Sequence, residues 1–125
     1  VATGKPRRGL DRSLRHHQLE HLFHDTRTAD ESFAKPHPGM LMDLSDRLQV
    51  PVRKMLMIGD TTHDLQMAQA AGVDAIAVTY GAHPADALRS ANSLACFDNV
   101  ETLGNWLMQN LHQPLQDPAE LSKAS

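Results

Sequence analysis

Two carboxylates follow a short apolar stretch near the middle of the chain. Residues 55–58, Met-Leu-Met-Ile, end at Gly59, and Asp60 and Asp64 come next, four positions apart. An apolar run without alternation is typical of a strand that is covered on both faces in a parallel sheet. The apolar spacing of residues 65–71 favours a helix after the carboxylates. We therefore expect a buried strand, a tight turn and a helix.

This arrangement predicts a metal site at the end of the strand. Ligands bind at the carboxyl ends of the strands in open α/β sheets, and Asp64 in the first helical turn would face the same crevice as Asp60. Magnesium fits best, because it is typically held by one or two carboxylates together with substrate phosphate and water. In the structural alternative, Asp60 caps the turn and Asp64 complements the helix dipole. Because the two carboxylates occur together after a buried strand, a functional role is favoured over a purely structural one.

Two other segments could bind an anion. Thr3 and Gly4 end a predicted strand in a sharp turn, and they offer a hydroxyl and backbone N–H groups to an anionic oxygen. Lys35 opens Lys-Pro-His-Pro (35–38) before a predicted helix, so that it would stand on a stiff loop, as a fixed positive charge beside a phosphate requires. In the structural alternatives, Thr3 is only a strand-end residue in a turn, and Lys35 is only a surface lysine before a proline turn.

The bulk composition excludes several classes of protein. The 125 residues allow at most one domain with a real core. Neither a membrane-spanning run nor a signal-peptide pattern occurs in them, so we expect no membrane partner. A net charge of -3 with 4% aromatic residues gives no reason to expect nucleic acid as a partner. Cys96 is the only cysteine, which excludes an internal disulfide and agrees with a reducing, cytoplasmic location.

A zinc-peptidase pattern occurs at residues 17–21. His-Gln-Leu-Glu-His matches H-x-x-E-H, which needs both histidines on one unbroken helix and a third ligand elsewhere. Leu10 and Leu14 share one side of a helical wheel, whereas the next apolar residues fall on the other side. The helix is therefore predicted to stop near Gln18, which argues against zinc.

Strands and helices alternate along the whole chain. Beyond the central motif, strands are predicted at residues 25–28, 75–78 and 94–97, and helices at 84–90 and from a cap at Asp98 or Asn99 to Leu111. The alternation predicts the α/β class with a parallel sheet. Residues 1–111 are expected to form one partial domain, and residues 112–125 a loose tail.

Three segments, taken together, resemble a known family. Val-Ala-Thr-Gly-Lys (1–5), Lys-Pro-His-Pro (35–38) and Gly-Asp-Thr-Thr-His-Asp (59–64) are similar to the second, third and fourth motifs of the haloacid dehalogenase-like (HAD) hydrolases, especially the phosphoglycolate-phosphatase-like branch. The resemblance extends to about Leu111. It implies a Rossmann-like, three-layer parallel sheet and a magnesium-dependent phosphatase. The substrate would be a small phosphorylated metabolite, hydrolysed through an aspartyl-phosphate intermediate.

The resemblance also implies roles for individual residues. Thr3, with Gly4, would bind the phosphoryl oxygens, and Lys35 would neutralise charge on the nucleophile and the phosphoryl group. Asp60 would ligate magnesium, and Asp64 would support the metal directly or through water. Fixed positive charge around a transferring phosphoryl group supplies most of the catalysis of such reactions.

One motif of the family is missing from the sequence. Asp-x-Asp-Gly-Thr, which supplies the family's nucleophile and general acid, occurs nowhere in the 125 residues. In the family it lies on an earlier, central strand, between the strand that ends at Thr3 and the strand of residues 55–58. We therefore expect this chain to be the C-terminal part of a phosphatase core. Alone it would have no turnover, and its sheet would have an open slot. A complementing N-terminal segment or a strand-exchanged copy would fill that slot.

Two further readings stay open. The main alternative is a non-catalytic binding or interaction module on a degenerate HAD scaffold. A nucleotide-binding domain is less favoured, since no G-x-G-x-x-G follows a strand.

Overall fold

A computed structural model of the chain describes residues 1–89 and 91–111. The strands are β1 (Ala2–Thr3), β2 (Arg27–Thr28), β3 (Leu56–Gly59), β4 (Asp74–Val78) and β5 (Ala95–Phe97). The helices are α1 (Arg7–His16), α2 (Gly39–Leu48), α3 (Thr62–Ala71), α4 (Ala85–Arg89) and α5 (Val100–Leu111), with 3-10 turns at Glu20–Leu22 and Val52–Lys54. The predicted tail, residues 112–125, lies outside the described residues.

The described strands form two parallel sheets. β1 pairs with β2, and β3, β4 and β5 pair in that order. In the larger sheet Met57 lies beside Ala75, and Ala77 lies beside Cys96. The predicted α/β class with parallel strands is confirmed.

The core has helices on both faces of β4, the central strand of the larger sheet. Ala75 and Ala77 belong to one buried cluster together with α2 and α3, whose side chains Met40 and Met67 are completely buried. Ile76 and Val78 alternate with these alanines and pack with Leu103 of α5 on the opposite face. The three layers that the family resemblance implies are therefore present around β4.

β3 differs from its prediction. The sequence predicts that residues 55–58 are buried on both faces, but Leu56 and Met57 are half-buried and Ile58 is 40% exposed. Within the described residues β3 pairs only with β4, so that its other edge is unpaired. An edge strand is covered by fewer neighbours than a central one, which explains the exposure.

An apolar groove runs along the unpaired edge of β3. It has a volume of about 600 Å³. Its lining comes from the N-terminal segment (Val1, Ala2, Phe23, Asp25), from α2 (Leu41, Leu44, Leu48) and from Met55 and β3 (Leu56, Met57, Ile58). We call it the β1–β3 groove. It agrees with the expected slot in an incomplete sheet.

The histidines at 17 and 21 do not share a helix. α1 ends at His16, and Gln18 has a positive φ of 56°, so that His17 lies beyond the helix while His21 lies in a 3-10 turn. The predicted break near Gln18 is thus confirmed, and the H-x-x-E-H pattern lacks the helix it needs. No helix among residues 1–89 and 91–111 is long and apolar enough to cross a membrane.

Candidate active site

The turn between β3 and α3 is held together by Asp64. Thr61 caps the helix, because its hydroxyl accepts from the N–H of Asp64 at 3.1 Å. In return, Oδ2 of Asp64 accepts from the N–H groups of Asp60 and Thr61, each at 3.1 Å. This is a capping box, which satisfies N–H groups that the helix leaves unpaired. Asp64 therefore has a structural role in the turn, as the partner of Thr61 in the capping box, and Thr61, not Asp60, is the helix cap.

Gly59 allows this turn to close. A Cβ atom at position 59 would lie 2.8 Å from Cγ of Asp64 and 2.7 Å from its Oδ2, well inside van der Waals contact. The apolar strand must therefore end in glycine for Asp64 to fold back over it.

Lys35 forms an ion pair with the same carboxylate. Its Nζ lies 2.5 Å from Oδ1 of Asp64, although the two residues are 29 positions apart. Lys35 lies in the loop that precedes α2, and α2 packs with α3 in one core cluster. Burial raises the pKa of Asp64, but hydrogen bonds from Lys35 and Thr61 and the charge of Lys35 outweigh it, so that the pKa lies below its ordinary value. Asp64, which is 2% exposed, therefore stays ionised.

Asp60 projects from the same turn and is held by the loop after β4. Its Oδ2 accepts from the N–H of Ala82 at 3.0 Å, and its carbonyl oxygen accepts from the N–H of His83 at 3.3 Å. Gly81 permits this approach, because a Cβ there would lie 2.6 Å from Cγ of Asp60. Within residues 1–89 and 91–111, Oδ1 of Asp60 has no hydrogen-bond partner, and it remains available to a ligand.

Thr3 and Gly4 are not hydrogen-bonded to this cluster in the described part of the chain. The Thr3 hydroxyl accepts from the N–H of Lys5 at 3.1 Å, which is the strand-end turn of the structural alternative. Among the hydrogen bonds and ion pairs of the described residues, none joins Thr3 or Gly4 to Lys35, Asp60 or Asp64. The structure thus brings three of the five predicted site residues into one cluster.

The sequence patterns assigned no site role to residues 80–83. Gly81, Ala82 and His83 all touch the Asp60 turn or α3. A signal was available: β3 and β4 are parallel neighbours, so the loop after β4 must emerge at the sheet edge that carries Asp60. A glycine three residues after a buried strand at that edge pointed to a close backbone approach.

The donor set suits magnesium better than a transition metal. Within the described parts of the chain, no group of three His, Cys, Asp or Glu side chains could hold an ion. Magnesium does not require such a cage, because one or two carboxylates suffice when phosphate and water complete its shell. The free Oδ1 of Asp60 fits that role, whereas both oxygens of Asp64 are already engaged by Lys35 and the turn.

A protein-family model shows to which family this chain belongs. The model described as haloacid dehalogenase-like hydrolase matches residues 1–78, which is more than half of the sequence. The chain belongs to the haloacid dehalogenase-like hydrolase family. The match spans all three segments on which the resemblance rested, so that the family assignment is confirmed.

Known relatives of this HAD-like chain include phosphatases. The phosphoglycolate phosphatase of Aliivibrio fischeri is 42% identical over 83 residues, which are 65% of this chain and 36% of that protein. That of Vibrio cholerae is 30% identical over 104 residues, which are 82% of this chain and 46% of that protein. This chain therefore spans less than half the length of these two relatives.

A solved structure shows the same fold. A HAD family hydrolase from Deinococcus radiodurans, which contains bound phosphate and sodium, superposes with a TM-score of 0.77 at 20% sequence identity. The superposition covers 91% of this chain and 53% of that one. The predicted HAD-like α/β fold is thereby confirmed.

Proposed function

We propose that this chain is part of a magnesium-dependent phosphatase that hydrolyses a small phosphate monoester through an aspartyl-phosphate intermediate. The observation that carries the proposal is the cluster at the carboxyl edge of β3, where Lys35 and Asp64 are paired beside Asp60 and its free Oδ1. Phosphatase relatives at 42% and 30% identity support the reaction class.

Each residue of the cluster has a defined part in this proposal. The Lys35 ammonium, fixed by Asp64, neutralises charge on the nucleophile and on the phosphoryl oxygens. Thr3 and Gly4, at the carboxyl end of β1, offer a hydroxyl and N–H groups to the same oxygens. Asp60 would hold magnesium, and when bound that ion would neutralise charge on the transferring group. Asp64 acts through Lys35 and the turn, so its support of the metal is indirect.

The nucleophile is proposed to come from a segment outside the 125 residues. The sequence has no Asp-x-Asp-Gly-Thr, and the β1–β3 groove offers an unpaired strand edge with apolar walls. A strand that carries this motif could pair with β3 by strand addition and bring its carboxylate to the end of β3, near Asp60. The chain alone would then have no turnover, and the strand that supplies the nucleophile would be an N-terminal segment. A strand exchanged from a second copy would fill the groove but would not supply the motif.

A two-part experiment tests the proposal. First, the 125-residue chain is assayed with magnesium and p-nitrophenyl phosphate, and we expect no hydrolysis above that of an Asp60→Asn variant. Second, a peptide with an apolar strand followed by Asp-x-Asp-Gly-Thr is added, and we expect magnesium-dependent hydrolysis that Lys35→Ala or Asp60→Asn abolishes. Lys54→Ala, which changes an exposed lysine in a 3-10 turn, is the matched control and should retain activity.

The outcomes separate the candidate functions. Turnover by the chain alone that disappears with Asp60→Asn would contradict the proposed inactivity. Magnesium binding without any activity after complementation would favour the alternative, a binding or interaction module on a degenerate HAD scaffold.

We place the protein in the cytoplasm within this proposal, in keeping with its single cysteine.

A further inference from the structure

The loop after β4 encloses the Asp60 turn. We call residues 79–83 the β4 loop. Ala82 donates its N–H to Oδ2 of Asp60 at 3.0 Å, and His83 donates its N–H to the Asp60 carbonyl at 3.3 Å. Gly81 packs so closely that any side chain there would overlap Asp60. The direction in which Asp60 presents its free Oδ1 therefore depends on where the β4 loop lies.

The side chain of His83 fastens this loop to α3. Its Nδ1 accepts from the N–H of Thr62, the first residue of α3, at 3.1 Å. A backbone N–H can only donate, so Nδ1 carries no hydrogen and the hydrogen of the neutral ring lies on Nε2. N–H groups in the first turn have no partner within their helix, and Thr61 already serves that of Asp64. The imidazole therefore supplies an acceptor that the helix itself lacks.

We infer that His83 is a positioning residue, which orients the carboxylate of Asp60 by tying the β4 loop to the start of α3. The inference rests on the proposed function, because it assigns His83 to the same site. The loop is attached on both sides of Thr61: at the carbonyl of Asp60 and at the N–H of Thr62. Without the imidazole the second attachment is lost, the N–H of Ala82 is no longer fixed, and Asp60 gains rotamer freedom. Partners that orient a ligating carboxylate in this way commonly affect metal affinity.

The experiment compares the full 125-residue chain with three variants. His83→Ala removes the acceptor, and His83→Asn returns one through its amide oxygen. His63→Ala is the matched control: it removes the ring that lies edge-on to His83 at 5.5 Å between centroids and leaves the hydrogen bond to Thr62 in place. Circular dichroism checks that each variant is folded.

Nuclear magnetic resonance provides readouts that need no metal. In the unmodified chain, the nitrogen shifts of His83 should show an unprotonated Nδ1. Amide hydrogen exchange at Thr62 should be about tenfold faster in His83→Ala, as expected when one hydrogen bond is lost. His63→Ala and His83→Asn should stay close to the unmodified rate. The three-bond couplings of Asp60 should report one χ1 rotamer in the unmodified chain and averaging in His83→Ala.

Magnesium titration by calorimetry adds a functional readout. We expect about tenfold weaker binding in His83→Ala and near-normal binding in His83→Asn. A protonated Nδ1, unchanged Thr62 exchange, or equal Asp60 couplings in His83→Ala and the unmodified chain would overturn the inference. If His83→Ala does not fold, the nitrogen shifts of the unmodified chain still show whether Nδ1 of His83 accepts the hydrogen bond from Thr62. If no form binds magnesium but the Asp60 couplings still depend on His83, the proposed metal role fails and the positioning role stands.

Discussion

At the scale of single residues, one carboxylate connects two distant parts of the chain. Asp64 receives Lys35 on Oδ1 and the backbone of the β3–α3 turn on Oδ2. Both partners donate to the ionised form, and they offset the cost of burying the charge. Loss of either partner should therefore change the free energy of unfolding and its dependence on pH.

The first prediction concerns Lys35→Met. It leaves the Asp64 carboxylate buried without its cation, so we expect the free energy of unfolding to fall by about 3 kcal/mol and the pKa of Asp64 to rise. Urea unfolding at a series of pH values measures both effects. Lys54→Met, at an exposed position, is the control and should change neither.

The sign of the pH effect follows from the lowered pKa of Asp64. In the unmodified chain, its contribution to stability is fully present above about pH 4, the ordinary carboxyl value, and is lost as the pH falls through the lower value of the folded state. In Lys35→Met this loss should begin at a higher pH. A profile identical to that of the unmodified chain would show that the ion pair is not the cause of the shift.

The second prediction concerns Gly59→Ala. Its Cβ would overlap Asp64, so the turn must shift, and we expect a loss of about 2 kcal/mol in the free energy of unfolding. Gly104→Ala is the matched control, because position 104 lies within α5 and has no atom within 4 Å of an added Cβ. It should be neutral or stabilise the chain by up to about 1 kcal/mol. Equal stabilities of the two variants in urea unfolding would contradict the overlap.

At the scale of elements, Glu31 ties α1 to β2. Its Oε1 accepts from Nε of Arg7 at 3.1 Å and from the hydroxyl of Thr28 at 2.8 Å. Arg7 is the first residue of α1, and Thr28, which is completely buried, ends β2. The hydrogen bonds from Arg7, and then those from Thr28, hold the pKa of Glu31 below its usual range.

The third prediction follows for Glu31→Gln. It should lower the free energy of unfolding at neutral pH by about 1 kcal/mol, since the pair is partly exposed to solvent. Because the pKa of Glu31 is lowered, this stabilisation is present above the ordinary carboxyl value and disappears as the pH falls through the folded value. At acid pH, the free energy of unfolding of the variant should therefore approach that of the unmodified chain. Glu101→Gln, in the exposed first turn of α5, serves as control, and a difference from the unmodified chain that does not shrink in acid would contradict the assignment.

At the scale of the whole molecule, two small sheets flank an apolar groove. The exposed Ile58 and Phe23 line it together with buried leucines of α2. Exposed apolar surface next to an unpaired strand edge favours association with other chains. We therefore expect the 125-residue chain to bind hydrophobic dyes and to self-associate as its concentration rises.

The fourth prediction places a charge in the groove. Leu48 lies at the end of α2, is 41% exposed and lines the groove, so that Leu48→Lys should weaken dye binding and self-association while its charge suits the helix terminus. Val100→Lys, at a 68% exposed position outside the groove lining, is the control and should change neither. Sedimentation velocity and dye fluorescence provide the measurements. Equal effects of the two lysines would show that the groove is not the associating surface.

The sequence alone determined the local elements and the chemistry of the cluster. The alternation of apolar stretches with helical patterns predicted the α/β class, and Gly72, in the left-handed conformation, ends α3 where the pattern stops. The types and spacing of Lys35, Asp60 and Asp64 predicted a charged site at one sheet edge. These features depend on neighbouring residues and on the rule that parallel strands end at the same edge, and both can be read from the chain.

Only the tertiary structure decided which partners those residues have. It paired Lys35 with Asp64 rather than with Asp60 and brought the β4 loop and His83 to the Asp60 turn. In the described part of the chain it left β3 at an open edge, although its residues are as apolar as those of a covered strand. Such contacts join residues that are more than 20 positions apart in the sequence. They depend on how α2, α3 and the strands pack, and local residue patterns do not specify the individual contacts of that packing.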